Sequence, residues 1–243
     1  MGRNKMVGFS AKYFWDAFPK LIGYLPITFI MIGLSLIFGI ILGVILAVMK
    51  LSGNKIAQKI AHGYTTVIRC TPGIIMLFLV YYGLPAIVKH FGKDINDWSR
   101  LFFVVTTYAL ICAGNMSEIM RSAYLSISEG QLEAAYCVGL TTLQALRRII
   151  IPQAFVVALP NLGNSVIGLL KSGSLAYTIG FVDIMGQAVN VISRRHGTFP
   201  LSTYVALALI YWAICLILEQ IMKLLETGQE RKRNRLQSKV LVK

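Results

Sequence analysis

Charge disappears from this chain in long blocks. From Leu21 to Met49 there is no Asp, Glu, Lys or Arg. A hydrocarbon core of about 30 Å is crossed by about 20 helical residues at 1.5 Å each, so residues 21–49 predict a first span. The block is too long for a signal-peptide core, and no small-x-small cleavage site follows it. Similar blocks predict further spans at about 62–88, 101–121, 150–171 and 199–222. The second gains its first turns from the apolar positions among Ile60–Ile68, ahead of the uncharged residues 70–88. The fourth contains Pro152 and Pro160, and the fifth has Tyr204, Tyr211 and Trp212 as interface anchors. Residues 172–182 are apolar but too short to cross, which predicts a re-entrant or surface segment. The fold class that follows is an all-α membrane protein of about five transmembrane helices. An N-terminal interfacial or extracytoplasmic segment (residues 1–20) precedes the membrane domain (21–226), and a basic tail (227–243) follows it.

The polar stretch at 122–149, ahead of the fourth span, has helical structure of its own. Ser128 to Gln131 and Thr141 to Gln144 both have capping-box spacing. Gly139 falls where a first helix would end in a left-handed cap, and Pro152 where a second would stop or kink. Ala134, Ala135 and Gly139 give the first helix little bulk, and Ala135 and Gly139, four apart, share a face. Such a helix can cover its own bundle or dock into a partner's groove, and the pattern alone leaves both open.

Composition narrows the function classes. Apolar residues make up 56% of the chain and charged residues 14%, against about 25% charged in soluble domains; disorder, collagen-like repeats and a disulfide scaffold are excluded. Cys70, Cys112, Cys137 and Cys215 lie far apart and form no CxxC pair, so they predict packing rather than a metal site. The net charge of +14 does not point to nucleic acid. The basic residues flank spans, where anionic lipid attracts them, and no aromatic residues interleave the Arg231–Arg235 run. The distribution of Lys and Arg favours a cytoplasmic C-terminus, and five spans then put the N-terminus outside.

Polar groups at membrane depth are costly and default to function. Asn115, Asn161, Asn164, Ser165 and Lys171 qualify, and Lys171 is placed to meet a substrate carboxylate. The structural alternatives are interhelical hydrogen bonds for the asparagines and snorkelling for the lysine. Glu118 and Arg121, three apart, should pair on one helix face. Gly39-xxx-Gly43 predicts close packing of the first span against another. No catalytic set emerges. The run from Gly163 to Ser172 imitates a phosphate-binding loop, but it lies inside an apolar span with no strand before it. Gly163-Asn-Ser165 imitates an intramembrane serine protease, yet His62, His90 and His196 all fall near span ends. A secondary amino-acid transporter would favour internal repeats, and none is visible; a non-enzymatic scaffold would need no structured loop.

Glu133-Ala134-Ala135, then Gly139, Ile149 and Pro152, resembles the EAA loop of binding-protein-dependent ABC importer permeases, with Ile151 where Leu usually precedes the proline. Arg69-Cys-Thr71-Pro72 with Tyr81-Tyr-Gly-Leu-Pro85, Glu118-Ile-Met-Arg121, Ser128-Glu-Gly130-Gln131, Pro152-Gln-Ala154, Asn164 and Lys171-Ser-Gly-Ser-Leu175 resemble the polar amino-acid branch, the cystine-type permeases above all. Cys70 stands where Gly is usual, and Ser172-Gly173 where an acidic or small residue and Thr are commoner. The resemblance implies a multi-pass subunit of the bacterial inner membrane, with no cofactor or enzymatic activity of its own. Its implied partners are two ATPase subunits holding ATP and magnesium, an extracytoplasmic solute-binding protein, and a second copy or paralogue of the permease. The loop from Glu133 to Pro152, with Gly130, would be the coupling element, and L-cystine a candidate solute.

Overall fold

A computed structural model describes the backbone of residues 8–241 and the side chains as far as Gly228; the basic side chains of the tail lie outside the described residues. Helix α1 (Ala11–Ile22) precedes the first span and is separate from it. The predicted start at residue 21 is corrected: the first span is α2, Leu25–Leu51, and Leu21 is a fully buried residue of α1. The chain turns at Gly23–Tyr24, and Pro26 opens α2, where a missing amide hydrogen costs nothing.

The predicted second span, 62–88, is corrected too. It is two helices, α3 (Lys55–Cys70) and α4 (Gly73–His90), broken at Thr71–Pro72. Proline has no amide hydrogen and pushes the residue before it to extended backbone, and Thr71 sits at φ −93°, ψ 126°. Asn54 caps α3 by accepting from the amides of Ile56 and Ala57. The Tyr64 hydroxyl donates to the Leu110 carbonyl at 2.9 Å. Leu110 lies midway along α5 (Arg100–Leu125), so α3 climbs halfway up the bundle before it breaks.

Helix α5 is the axis of the fold. In its most apolar stretch 61% of the residues are buried, against 33% or fewer in the other four spans. Helix α2 lies along it through the two small residues that the spacing singled out. A methyl at Gly39 would stand 2.6 Å from Cys112 Cβ, and one at Gly43 2.8 Å from Met116 Cβ.

After α5 come α6 (Glu129–Cys137) and α7 (Thr142–Ala145), which passes through a π turn (Leu146–Ile150) into α8 (Ile151–Gly173). Pro152 is where the sequence predicts a stop or a kink; the helix does not stop there, and a π turn, one of the features that bend helices, lies just ahead of the ring and its missing donor. A π turn at Leu79–Gly83 stands in the same relation to Pro85 in α4. The apolar residues after α8 form a 3₁₀ turn (Ser174–Ile179), partly buried in the bundle, and the left-handed Gly180 then leads to α9 (Ile184–Arg194). The last helix, α10 (Pro200–Leu241), contains the fifth span. Asp16 on α1 pairs with Arg195, whose guanidinium lies 4.7 Å from the centre of the Tyr13 ring, and so pins α1 beside the turn into α10.

Candidate functional site

A cavity of about 560 Å³ opens where the break in the second span faces α5 and α8. Arg69 and Gly73 line it from either side of the break. Asn115 and Glu118 enter from α5, one turn apart. From α8 come Asn161, Asn164, Ser165, Gly168 and Ser172, a polar stripe at helical spacing. The predicted polar residues are therefore brought together with one exception. Lys171 is exposed and does not line the cavity, because the helix turns about 100° per residue and Ser172 occupies the stripe instead.

Sequence reasoning missed one charged residue behind the cavity lining. Lys50, at the end of α2, looks like an ordinary flanking cation, yet its side chain is fully enclosed. Its ammonium donates to Glu118 Oε1 at 2.7 Å and to Ser117 Oγ at 2.8 Å. Arg121 Nε donates to Glu118 Oε2 at 3.0 Å, the predicted pair. With Arg69, this end of the cavity carries three cations against one carboxylate, so its field favours anionic groups. The break adds to this. Helix α4 begins there, its first intrahelical bond being Met76 N–H to the Pro72 carbonyl, and the amides of a first helical turn have no partner within the helix. Arg69 and the start of α4 make one side of the cavity suited to a carboxylate; Asn161, Asn164 and Ser165 face it with groups that donate and accept.

The loop ahead of α8 is a second feature. Gly139 has φ 77°, the left-handed conformation its position predicted. Its amide donates to the Tyr136 carbonyl and the Leu140 amide to the Ala135 carbonyl, closing α6 with a Schellman motif. At Thr141–Gln144 the capping box is complete. At Ser128 it is not: the residue holds the cap position without a side-chain bond, and Gln131 pairs with Gln153 of α8 instead. Glu133, Ala134, Gly139 and Gly130 are exposed, Ile149 is half-buried in the π turn and Pro152 is exposed at the start of α8. Ala135 is buried within the chain, so its small size serves packing of α6 on its own bundle rather than a free face. Val138 and Leu143, both 75% exposed, add apolar surface to the loop that the motif did not indicate.

The family described as "binding-protein-dependent transport system inner membrane component" matches residues 39–231, a stretch that contains both the cavity and the loop. The chain belongs to this family. The permease is 37% identical over 228 residues to the L-cystine transport system permease protein TcyL of Bacillus subtilis, covering 94% of this chain and 95% of that one. It is 36% identical over 215 residues to the nopaline transport system permease protein NocM of Agrobacterium fabrum, covering 87% and 88%. Among solved structures, an amino acid ABC transporter crystallised with histidines matches with a TM-score of 0.80 and 31% identity, over 91% of this chain and all of that one. The permease is thus a multi-pass inner-membrane subunit of an ABC importer, a class in which ATP is hydrolysed by separate subunits and solute arrives on a binding protein.

Proposed function

We propose that this permease imports an amino acid through the cavity between the broken second span, α5 and α8, and that the loop from Glu133 to Pro152, with Gly130, receives the push of the ATPase subunits. The observation that carries this reading is the convergence of Arg69, Glu118 and the Asn161–Asn164–Ser165 stripe on one cavity at the break. In this arrangement Arg69 and the first amides of α4 take the solute's carboxylate, and the carbonyl oxygens of the asparagines and the Glu118 carboxylate face its ammonium.

The exposed polar stripe of α8 supports a second permease subunit across it, a copy or a paralogue, because polar groups at membrane depth seek protein or water rather than lipid. Two ATPase subunits dock on the loop side, with ATP and magnesium held there. The C-terminus and the loop then face the cytoplasm, while α1 and the N-terminus lie outside, where the solute-binding protein delivers. For the solute we take L-cystine first. The similarity to a cystine permease supports it.

The test is reconstitution in proteoliposomes with the copurifying ATPase and binding protein. ATP-dependent uptake of labelled L-cystine, reduced at least about tenfold by Arg69→Gln or Asn164→Leu and little changed by Lys171→Gln, is the expected result. Uptake without ATP would refute the importer reading; ATP-dependent uptake of another amino acid in place of cystine would correct only the solute.

A further inference from the structure

Among the described residues, two charged groups line the solute cavity, Arg69 from the break and Glu118 from α5. Alone they would make the wall zwitterionic, one group for a carboxylate and one for an ammonium. Glu118, however, does not act alone. Lys50 Nζ stands 2.7 Å from its Oε1, and Arg121 Nε 3.0 Å from its Oε2. Arg121 is on the same helix, one turn along. Lys50 comes from α2, which supplies no residue to the cavity wall among the described residues. The Lys50 side chain has 0% exposure, so its charge reaches the cavity only through the protein.

Stability does not account for an ammonium in this place. A buried ion pair contributes little that well-packed apolar residues of the same size would not, and Lys50 needs Ser117 Oγ at 2.8 Å as well as Glu118. Ser117 in turn donates to the Gly114 carbonyl at 2.9 Å, so the group that receives Lys50 is itself fixed to α5. What a lysine does here that a methionine would not is set the charge behind Glu118. A carboxylate offers about four lone-pair positions; Lys50 and Arg121 take one each, so Glu118 still accepts from a solute's ammonium. Its negative charge, by contrast, is offset by two cations, and the field of all three falls on whatever enters. A solute with one ammonium beside its carboxylate makes its hydrogen bonds. A further positive charge finds no net negative charge to settle on.

We propose that Lys50 is a specificity-determining residue: by offsetting Glu118 from behind the cavity wall, it makes the permease reject amino acids with cationic side chains. The inference rests on the importer reading above and adds the class of solute that the cavity excludes. Removing the charge of Lys50, with its hydrogen bonds kept, turns Glu118 into a site for such a side chain.

The test uses the permease as it purifies, in lipid nanodiscs, and reads the charge in the cavity without requiring transport. Asn115 lines the cavity, is exposed and lies one turn from Glu118. Asn115→Cys is made in a chain carrying Cys70→Ser, Cys112→Ala, Cys137→Ser and Cys215→Ala, and is modified by a cationic and an anionic methanethiosulfonate of similar size. Lys50→Gln should raise the ratio of cationic to anionic rate at least about fivefold, and Lys50→Arg should leave it within about twofold. Lys50→Met serves if the Gln form fails to accumulate. In proteoliposomes, L-arginine and its neutral isostere L-citrulline then compete with uptake, and Lys50→Gln should favour arginine over citrulline at least about fivefold relative to the parent. A loss of packing would weaken both competitors alike and move neither ratio. A rate ratio unchanged by Lys50→Gln, one that Lys50→Arg shifts as far, or no gain for arginine would each overturn the proposal. Failure of both reagents to reach Asn115→Cys would instead refute the cavity as the solute path, and this inference with it.

Discussion

An ammonium group enclosed by helices keeps its charge only when a partner stands beside it, and Lys50 has both Glu118 and Ser117. Removing one member of such a pair costs more than the pair contributes, because the other is left buried and uncompensated. Glu118 is 22% exposed and keeps Arg121, which softens the loss. Lys50→Met should therefore cost about 2 kcal/mol, below the 3–5 kcal/mol of a fully buried pair. The measurement is a double-mutant cycle with Glu118→Gln, read by thermal unfolding of the permease in nanodiscs. A coupling energy of at least about 1 kcal/mol is expected, and additive losses would mean that the contact carries no net energy. Sequence could have offered one signal for Lys50: a single cation closing an otherwise apolar helix. A flanking cation and an inward one look identical until the helix it packs against is known. Lys171 is the converse case. Its charge at membrane depth drew attention, but one helical step carries it off the stripe that Ser172 occupies.

Whole elements were legible where the cause is local. Gly39-xxx-Gly43 announced a close helix pair, and α2 does lie against α5 there. A leucine at Gly43 would meet Met116 Cβ and the Ala113 carbonyl head-on; Gly43→Leu should cost at least about 2 kcal/mol and lower the amount of permease reaching the membrane. A normal level of folded protein would show that α2 slides without loss. The left-handed cap at Gly139 was legible for the same reason, since glycine after a helical run marks that turn. Gly139→Asp adds a side chain in a conformation that costs about 1–2 kcal/mol and sets a charge on an exposed turn. It should abolish ATP-driven uptake while the protein still reaches the membrane, as judged by membrane fractionation and transport assay. Near-normal uptake would remove the loop from the coupling role. The missing cap at Ser128 had no local cause: Gln131 is drawn away by Gln153, 22 residues on, and no capping rule registers a partner at that distance. The broken second span lies between these cases. Apolar periodicity runs straight through Thr71–Pro72, and only the backbone rule for proline marks the division.

At the scale of the molecule, the spans were countable from charge alone, but which of their faces meet lipid was not, because lipid and a helix core select the same apolar residues. The polar faces break that ambiguity. Asn161, Asn164 and Gly168 are exposed on this chain at membrane depth, and the cavity they border opens at its edge. A single copy in lipid would leave those amides facing hydrocarbon, at several kcal/mol for each unsatisfied group. The exposed Val138 and Leu143 on the loop likewise leave an apolar patch with none of the described residues above it. Both surfaces would be covered in the proposed assembly of two permease subunits with an ATPase on each loop. Gentle purification of the tagged chain from its native membrane, with quantitative mass spectrometry of what accompanies it, should find ATPase and permease chains in equal amount. A second permease sequence in that preparation would mean that a paralogue covers the α8 stripe. Its absence, with two permease chains per particle by native mass, would mean that the stripe meets its own copy. No ATPase across several detergents would leave the loop without a partner and return this chain to transport without ATP.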